Sequence, residues 1–407
     1  MSDAHFVFLV SDGPGATVID SQVVDAVVAI GEEGVHFDLF FLPPPRQYLE
    51  HFAFFARRRR EIAARVEGRV RMLPGSRSTQ LGVGVSTLLV ASELLRTRGR
   101  VVAHARADGA AHLANHVATR CPRFRYVYDA RGDVEGETRA NAVASGRSPA
   151  ATEREIATRL RQRQAIIDGA AHVLCVSTVL RDRFVASHGL DPARSTIVPC
   201  VADADKFGPD AAERARARRE LGLEDRFLLV YPGRFGTWHY NEETFAVVRG
   251  LMDADPSVYF LILTPDTEAA ASLAKHTLPD GRYAIHSARH DEVPRFLRAA
   301  DLGLLLRAPD PLNEVACPTK FAEYVMSGLP VLISAGIGDC SGFVETQRAG
   351  AVLRAPDPAA AVAAVAAIRR EPADARRARI AAAGAALSRQ RFARDMAALY
   401  RRIAEAP

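Results

Sequence analysis

A lysine and a glutamate three residues apart stand at the predicted start of a helix in the second half of the chain. The segment 318–323 reads PTKFAE and runs on towards the apolar residues 331–334. Proline suits the first helical position because its missing N–H would be unpaired there, so the helix is predicted to begin at Pro318. Free N–H groups and the dipole favour an anion at a helix N-terminus. Lys320 and Glu323 share one face of the first turn, which suits a nucleotide: diphosphate on the lysine, ribose hydroxyls on the glutamate.

Lysine is rare in this chain. Among 53 basic residues only Lys206, Lys275 and Lys320 are lysines. A lysine at a helix start is therefore favoured where a compact point charge is needed. A structural Lys–Glu pair that only stabilises the helix explains the same spacing. We expect Glu323 to lie at a cleft rather than in a core.

Bulk composition indicates a globular, soluble protein. A chain of 407 residues is too long for a single hydrophobic core, so about two domains are expected. No apolar run approaches the roughly 18 to 20 residues that span a bilayer. The first ten residues lack a basic region or a cleavage site, which argues against secretion. The five cysteines are scattered without CxxC spacing. They indicate reduced thiols in a cytoplasmic protein, and we expect no metal site.

Arginine is concentrated between Arg46 and Arg71, which hold eight arginines against three glutamates. Phe52, Phe55, Ile62 and Val66 recur at steps of three or four, which predicts one amphipathic helix with residues 57–60 in its middle. Three interpretations stay open. In the first, the run binds nucleic acid, although the sequence shows no nucleic-acid-binding module and no interleaved aromatic pattern. It contacts an anionic membrane or an anionic lipid-linked substrate. It is only a solvated face.

Short apolar runs alternate with helical ones, which predicts an α/β fold with parallel sheets covered on both faces. The strands predicted in the first half are residues 6–10, 37–42, 70–73, 101–104, 126–129, 173–176 and 196–198. Those in the second half are residues 227–231, 258–263, 283–285, 302–306, 331–334 and 351–353. Residues 199–209 resemble a linker, and helices are predicted at 358–370 and 373–406, with a break near Gly384. Ligands of such sheets bind at the carboxyl ends of the strands.

Polar residues follow several predicted strands of the first half. Gly13 and Gly15 allow a substrate to approach the backbone near Thr17, although a plain strand-to-helix turn explains them too. Four more polar residues end two neighbouring strands and suggest an acceptor site or proton-handling groups: His104, Arg106, Asp129 and Arg131. An internal Asp–Arg ion pair explains the last two equally well.

A second glycine-containing loop follows the first strand of the second half. Gly233 permits close approach, and Arg234 is expected to bind phosphate where the strand-end loop meets a cleft. Trp238, the single tryptophan, either stacks on a sugar or packs in the core.

The chain resembles the retaining glycosyltransferases of the GT-B fold, specifically family 4 and its bacterial polysaccharide members. Residues 175–190 and 197–207 are similar to the family's hinge signature, with Pro199-Cys200-Val201-Ala202-Asp203 where the family usually has Pro-Asn-Gly-Val-Asp. The pair Gly233-Arg234, the runs 292–301 and 318–331, and Gly338-Asp339 are further family elements. The resemblance covers nearly the whole chain and is strongest from Val173 to Leu353.

Two positions depart from the family pattern. The family's phosphate-binding lysine falls on His239, and the first glutamate of its paired-glutamate motif falls on Val315, just after Asn313 and Glu314. An ordinary histidine pKa of about 6.5 would leave His239 partly charged at neutral pH.

The resemblance implies two Rossmann-like domains whose parallel sheets face a central cleft. Residues 1–205 would bind the acceptor, residues 206–385 the donor, and the helix 386–407 would pack back towards the N-terminal domain. Arg234 and Lys320 would neutralise a leaving diphosphate in place of a metal, and Glu323 would hold the ribose. The implied donor-binding set is Gly233, Arg234, His239, Asn313, Glu314, Pro318, Thr319, Lys320 and Glu323. The implied acceptor-binding set is Gly13, Gly15, Thr17, His104, Arg106, Asp129 and Arg131.

The function implied is transfer of a sugar, with retention, from a nucleotide-diphosphate sugar to a glycan, lipid-linked or small-molecule acceptor in polysaccharide or glycoconjugate biosynthesis. The nucleotide sugar is a co-substrate, so no cofactor and no nucleic acid partner are expected. The expected location is cytoplasmic, with peripheral contact at the inner membrane surface as an alternative. A non-catalytic nucleotide-sugar-binding module is the main competing function, and a sugar-nucleotide epimerase is a weaker one.

Overall fold

The structure is a computed structural model that describes residues 4–11, 13–14, 18–75, 80–94, 97–235 and 239–406. Gly15, Thr17 and Trp238 lie outside the described residues. The chain forms two compact units, the first comprising Met1–Pro199 with Gln390–Pro407 and the second Cys200–Arg389. The sequence analysis predicted the domain boundaries after residues 205 and 385.

The first unit is built on a seven-stranded parallel sheet in the order β3-β2-β1-β4-β5-β6-β7. Its strands are β1 His5–Val10, β2 Phe37–Phe41, β3 Val70–Met72, β4 Val101–Arg106, β5 Phe124–Ala130, β6 His172–Cys175 and β7 Ser195–Ile197. Strands β2 and β4 are buried along their whole length, as expected when helices cover both faces of a parallel sheet.

Helices connect these strands and close the core of the first unit. They are α1 Asp25–Glu32, α2 Pro45–Glu50, α3 Phe52–Ala63, α4 Gln80–Leu94, α5 Ala107–Ala118, α6 Val134–Ala144, α7 Pro149–Gly169 and α8 Thr178–His188. The last helix of the chain, α19 (Arg389–Glu405), contributes Met396 and Tyr400 to the core around Phe8, Phe37 and Val102.

The second unit is built on a six-stranded parallel sheet in the order β10-β9-β8-β11-β12-β13. Its strands are β8 Phe227–Pro232, β9 Val258–Leu263, β10 Tyr283–His286, β11 Leu302–Leu305, β12 Val331–Ser334 and β13 Gly350–Leu353. Its helices are α9 Ala204–Phe207, α10 Ala211–Leu221, α11 Glu242–Ala254, α12 Thr267–Thr277, α13 Val293–Ala299, α14 Pro311–Val315, α15 Thr319–Met326, α16 Cys340–Thr346, α17 Pro358–Arg369 and α18 Ala373–Gly384. Both sheets have the strand order of a Rossmann-like fold in their first six strands.

All thirteen predicted strands are confirmed, as are the helix that starts at 358 and the break near Gly384. The single helix predicted between Arg46 and Arg71 is wrong. The segment forms α2 and α3, separated at His51, and then strand β3. Val66 lies beyond α3 and is buried there, so its spacing from Ile62 matched a helical period without continuing the helix. No helix among the described residues is long and apolar enough to cross a bilayer.

Candidate functional site

The N-terminus of α15 lies beside the loop that follows β8. The helix begins at Thr319, one residue later than predicted, because the extended backbone of Pro318 places that residue at the N-cap. The Lys320 side chain reaches Tyr231, where its Nζ lies 4.0 Å from the centroid of the ring. A Cβ atom at Gly233 would lie 2.7 Å from Nζ, and Gly233 has a φ of +133° that side chains rarely allow. Gly233 therefore makes room for the ammonium group.

The Lys320 ammonium is buried, and it has no hydrogen-bond acceptor among the residues that the structure describes. Burial, together with the nearby charge of Arg307, lowers its pKa to about 7, and Glu323 opposes the shift. A buried cation without an acceptor is costly, so this arrangement is typical of a site that an anion fills.

Arg307, which the sequence analysis missed, follows strand β11 and supplies a second buried cation. Its Nη1 donates to Asn313 Oδ1 at 3.1 Å, whereas its Nε has no acceptor among the described residues. Burial lowers the pKa of Arg307 below its ordinary value. Its position directly after an apolar strand was the signal that could have identified it, because ligands bind at strand carboxyl ends.

Glu323 does not lie at an open cleft as expected. Its residue is only 6% exposed, one turn below Lys320 in α15. Burial raises the pKa of its carboxyl group to about 7, and Lys320 limits that rise. Glu323 was expected at a cleft rather than in a core, and its burial differs from that expectation because the three-residue spacing fixes the helix face but does not show how much protein covers it.

Arg234 lies outside the buried cluster of Lys320, Arg307 and Glu323. Its side chain is 62% exposed, and its Nη1 forms an ion pair of 2.8 Å with Asp266 Oδ1. The backbone N–H of Phe235 also donates to Asp266, at 3.4 Å. The exposed guanidinium retains N–H donors that a ligand could use.

His239 is not a cation in this structure. Burial and the charges of Arg307 and Lys320 lower its pKa to about 3, so the expected partial charge at neutral pH is wrong. Its Nδ1 lies 2.8 Å from the Tyr231 hydroxyl, and its backbone forms an isolated bridge with Arg307. The histidine therefore links Tyr231 of β8 to the segment after β11 that carries Arg307.

The remaining predicted donor residues surround α14 and the start of α15. Asn313 is buried and donates through Nδ2 to the Ala308 carbonyl at 2.8 Å, which orients its Oδ1 towards Arg307. Glu314 is exposed, Thr319 is half-buried and Pro318 is buried. Of these residues, Asn313 contacts Arg307 directly.

The four residues predicted at neighbouring strand ends of the first unit converge on one carboxylate. Asp129 Oδ2 accepts from Arg131 Nε at 2.7 Å and lies 3.0 Å from His104 Nε2 and 3.5 Å from Arg106 Nη1. Tyr400, which the sequence analysis missed, places its hydroxyl 2.6 Å from His104 Nδ1. Because Tyr400 lies nearly 300 residues further along the chain, no local pattern indicates this contact.

This cluster is buried, and its two guanidinium groups form ion pairs with its one carboxylate. Burial alone would raise the pKa of Asp129, but Arg131, His104 and Arg106 lower it below its ordinary range. Burial lowers the pKa of His104, which favours its neutral form. Asp129 has no exposed surface, so the internal ion pair is the interpretation that the structure supports for Asp129 and Arg131. At Gly13 a Cβ atom would meet no atom within 4 Å among the residues that the structure describes.

A cavity of about 780 Å³ lies nearby in the first unit. Its lining includes Arg46 after β2, Asp108 and His112 of α5, and Glu155 and Gln162 of α7. These lining residues were also missed. Asp108 is fixed by the Tyr128 hydroxyl at 2.5 Å and by two hydrogen bonds of 3.0 Å from Arg163. Burial lowers the pKa of His112 to about 4, so a neutral imidazole lines the cavity at neutral pH.

Comparison with known proteins agrees with this architecture. No protein-family model matches the chain. A D-inositol 3-phosphate glycosyltransferase of Mycobacterium sp. (strain KMS) is 28% identical over 208 residues, 48% of this chain and 45% of that protein. The match thus spans less than half the length of this relative.

Solved structures resemble the chain over almost its whole length. HepE of Anabaena, crystallised in complex with UDP, has a TM-score of 0.70 at 14% identity over 97% of this chain and 98% of that one. A putative UDP-N-acetylglucosamine 2-epimerase of Listeria monocytogenes has a TM-score of 0.61 at 12% identity over 100% and 97%. With its two Rossmann-like units of parallel strands, the chain has the GT-B fold.

Proposed function

We propose that this protein is a glycosyltransferase that uses a nucleotide-diphosphate sugar as donor. The observation that carries the proposal is the buried Lys320 ammonium beside Gly233, which has no acceptor among the described residues. A diphosphate supplies the missing negative charge, and the N-terminus of α15 supplies N–H donors. The relative from Mycobacterium and the UDP-bound HepE structure support this choice of ligand.

In this proposal the second unit binds the donor. Lys320 and Arg307 contact the diphosphate, and the exposed Arg234 contacts it from the solvent side. These cations stabilise the charge that develops on the leaving nucleotide, a role that many transferases assign to a metal ion. Glu323 accepts hydrogen bonds from the ribose. Retention of the anomeric configuration and membership of glycosyltransferase family 4 are part of the proposal.

The first unit would bind the acceptor, and the polar cavity lined by Asp108, His112 and Gln162 is the place we propose for it. Carboxylate, imidazole and amide groups suit a polyhydroxylated acceptor because each can pair with a hydroxyl. The buried cluster around Asp129 would then hold the strand ends in position, and the residues that line the cavity would contact the acceptor directly. An inositol phosphate is an acceptor to test first, given the Mycobacterium relative.

The experiment is a screen of UDP-, GDP-, TDP- and ADP-sugars with EDTA present, with and without acceptors that include inositol 3-phosphate. Donor binding is measured by calorimetry and nucleotide release by a coupled assay, and proton NMR gives the anomer of the product. Acceptor-dependent release of nucleotide supports the proposal. Binding without release under any acceptor would favour the non-catalytic module, and conversion of the sugar without transfer would favour an epimerase. If the protein binds none of these nucleotide sugars, the proposed donor site is refuted.

Contact with an anionic membrane is a second proposal, supported by exposed apolar side chains near the arginine run. Leu49 is 75% exposed and Phe52 57%. Arg59 and Arg60 of α3 are exposed too. Apolar and basic side chains together are typical of a surface that binds anionic lipid headgroups.

Co-sedimentation with vesicles that contain phosphatidylserine tests this second proposal. A double variant Arg59→Gln/Arg60→Gln should bind about 30-fold more weakly, since each arginine near such a surface contributes about 1 kcal/mol. The matched control is Arg154→Gln/Arg161→Gln, which removes two exposed arginines of α7. Equal loss in both double variants, or none in either, would leave only a solvated face.

A further inference from the structure

A second cavity lies in the second unit at the amino ends of its strands, the edge opposite the Lys320 site. It has a volume of about 530 Å³ and lies where β13 begins, against α17 and α18. Its apolar wall includes Ala364 and Ile368. Three guanidinium groups and one carboxylate supply the rest of its charged lining: Arg348, Arg376, Arg379 and Glu371.

The central residue of this cavity is Arg376, which is only 6% exposed. Its Nη1 donates to the carbonyls of Ile368 and Glu371, each at 2.8 Å. Its Nε is buried and has no acceptor, and no carboxylate forms an ion pair with it, among the residues that the structure describes. A buried guanidinium without a counter-charge is costly, so its presence points to an anion that completes the site.

The neighbouring carboxylates are already engaged. Glu371 is bound by Arg379 through two hydrogen bonds of 3.0 and 2.6 Å. Asp301, the other acidic group that affects Arg376, is surrounded by Arg214, Arg218 and Arg377. Burial lowers the pKa of Arg377 to about 10, and nearby Arg214 adds to the effect. Positive charge is therefore in excess at this edge of the sheet.

We propose that this cavity binds a phosphate dianion, most simply the phosphate group of a small organic monoester, as a site separate from the donor site. Arg376 and Arg348 would donate to the phosphate oxygens, since guanidinium groups match their geometry. A phosphate monoester carries about −1.5 to −2 charges at pH 7, which balances the excess of two positive charges in the lining. The organic part would pack on Ala364 and Ile368. This proposal does not depend on the glycosyltransferase activity.

Isothermal titration calorimetry of the full-length protein tests the site, with glycerol 3-phosphate, inorganic phosphate and glycerol as titrants. The two anions should bind and glycerol should not. Arg376→Met and Arg348→Met should each weaken binding by about tenfold or more, the effect of losing one charge-assisted hydrogen bond. Arg348 is exposed, so its variant remains informative if Arg376→Met fails to fold.

Two controls separate this site from others. Arg219→Met removes an exposed arginine of α10 and should leave binding unchanged. Lys320→Met should weaken nucleotide-sugar binding and leave glycerol phosphate binding intact, so the two proposals fail independently. Tighter binding of the ester identifies an organic monoester as the ligand, and equal binding identifies free phosphate. Absence of anion binding, or binding that survives both Arg376→Met and Arg348→Met, overturns the inference.

Discussion

The Asp129 cluster of the first unit and the Lys320 cluster of the second unit both bury charge at the carboxyl ends of parallel strands. Around Asp129, two guanidinium groups and an imidazole lie within 3.5 Å of one carboxylate oxygen. Around Lys320, an ammonium and the Arg307 guanidinium are buried, and neither forms an ion pair with a carboxylate among the described residues. The first arrangement pairs its guanidinium groups directly with a carboxylate, whereas the second leaves its cations without such a pair among the described residues. That difference separates a structural ion cluster from a ligand site more clearly than residue type does.

The strongest test of this contrast is removal of the central carboxylate. Asp129→Ala would leave Arg106, Arg131 and His104 without their shared acceptor inside the first unit. Loss of one partner of a buried ion pair costs about 3 to 5 kcal/mol, so we expect the free energy of unfolding to fall by that amount. Chemical denaturation followed by circular dichroism measures it.

The affinity for a nucleotide sugar, measured on the fraction that remains folded, should not change in Asp129→Ala, because the residue belongs to the other unit. A loss of donor affinity without a loss of stability would reverse the assignment of the two clusters.

The second test removes the uncompensated cation. Lys320→Met should weaken nucleotide-sugar binding by about 10- to 150-fold, the range expected for one hydrogen bond to a charged group. Stability should change little or increase, since the variant buries a thioether in place of an ammonium. Calorimetric titration with UDP-glucose gives the affinity, and thermal melting gives the stability.

The matched control for that experiment is Lys275→Met, which removes an exposed lysine of α12. If Lys320→Met lowers stability while it spares the affinity, Lys320 only stabilises its helix.

The pH dependence of donor binding provides a third test. The pKa of Lys320 is lowered to about 7 in the free protein, and a bound diphosphate favours the charged form. Binding should therefore take up a proton, and the affinity should fall by up to tenfold per pH unit as the pH rises above about 7. Titrations in buffers of different ionisation enthalpy detect the proton.

Glu323 also titrates near pH 7, and its negative charge above that pH weakens anion binding in the same direction. Glu323→Gln removes this contribution, so the donor affinity should fall less steeply with pH. Lys320→Met should remove most of the pH dependence of the affinity. An affinity that is independent of pH between 6 and 9 would contradict the lowered lysine pKa.

The smallest effect is expected at His239, the neutral neighbour of the two cations. His239→Ala removes the contact with the Tyr231 hydroxyl, and a neutral hydrogen bond contributes about 0.5 to 1.5 kcal/mol. Its effect on donor affinity should be the same at pH 6 and pH 8, because a pKa of about 3 leaves the ring neutral at both. A larger effect at pH 6 than at pH 8 would show that the histidine is protonated when the donor binds.

The sequence predicted the sheets well because strands buried on both faces appear as continuous apolar runs between polar turns. It also indicated Lys320 as a candidate diphosphate-binding residue, because lysine is rare in the chain and this one stands at a helix start. It could not predict the burial of Glu323 or the neutral state of His239, since both depend on elements far away in the chain. Tyr400 was missed for the same reason, because its contact with His104 exists only in the folded chain. Arg307 was missed although its position after an apolar strand could have indicated it.

The position of Lys320 against Gly233 and Tyr231 has a chemical consequence beyond binding. A lysine with a pKa of about 7 is an uncharged amine in about half of the free molecules at neutral pH, and an uncharged amine is a nucleophile. An exposed lysine with an ordinary pKa of about 10.4 has less than one thousandth of its molecules in that form. A nucleotide that carries an aldehyde should therefore form a Schiff base at Lys320. The burial that lowers the pKa of this ammonium group therefore also makes Lys320 a nucleophile.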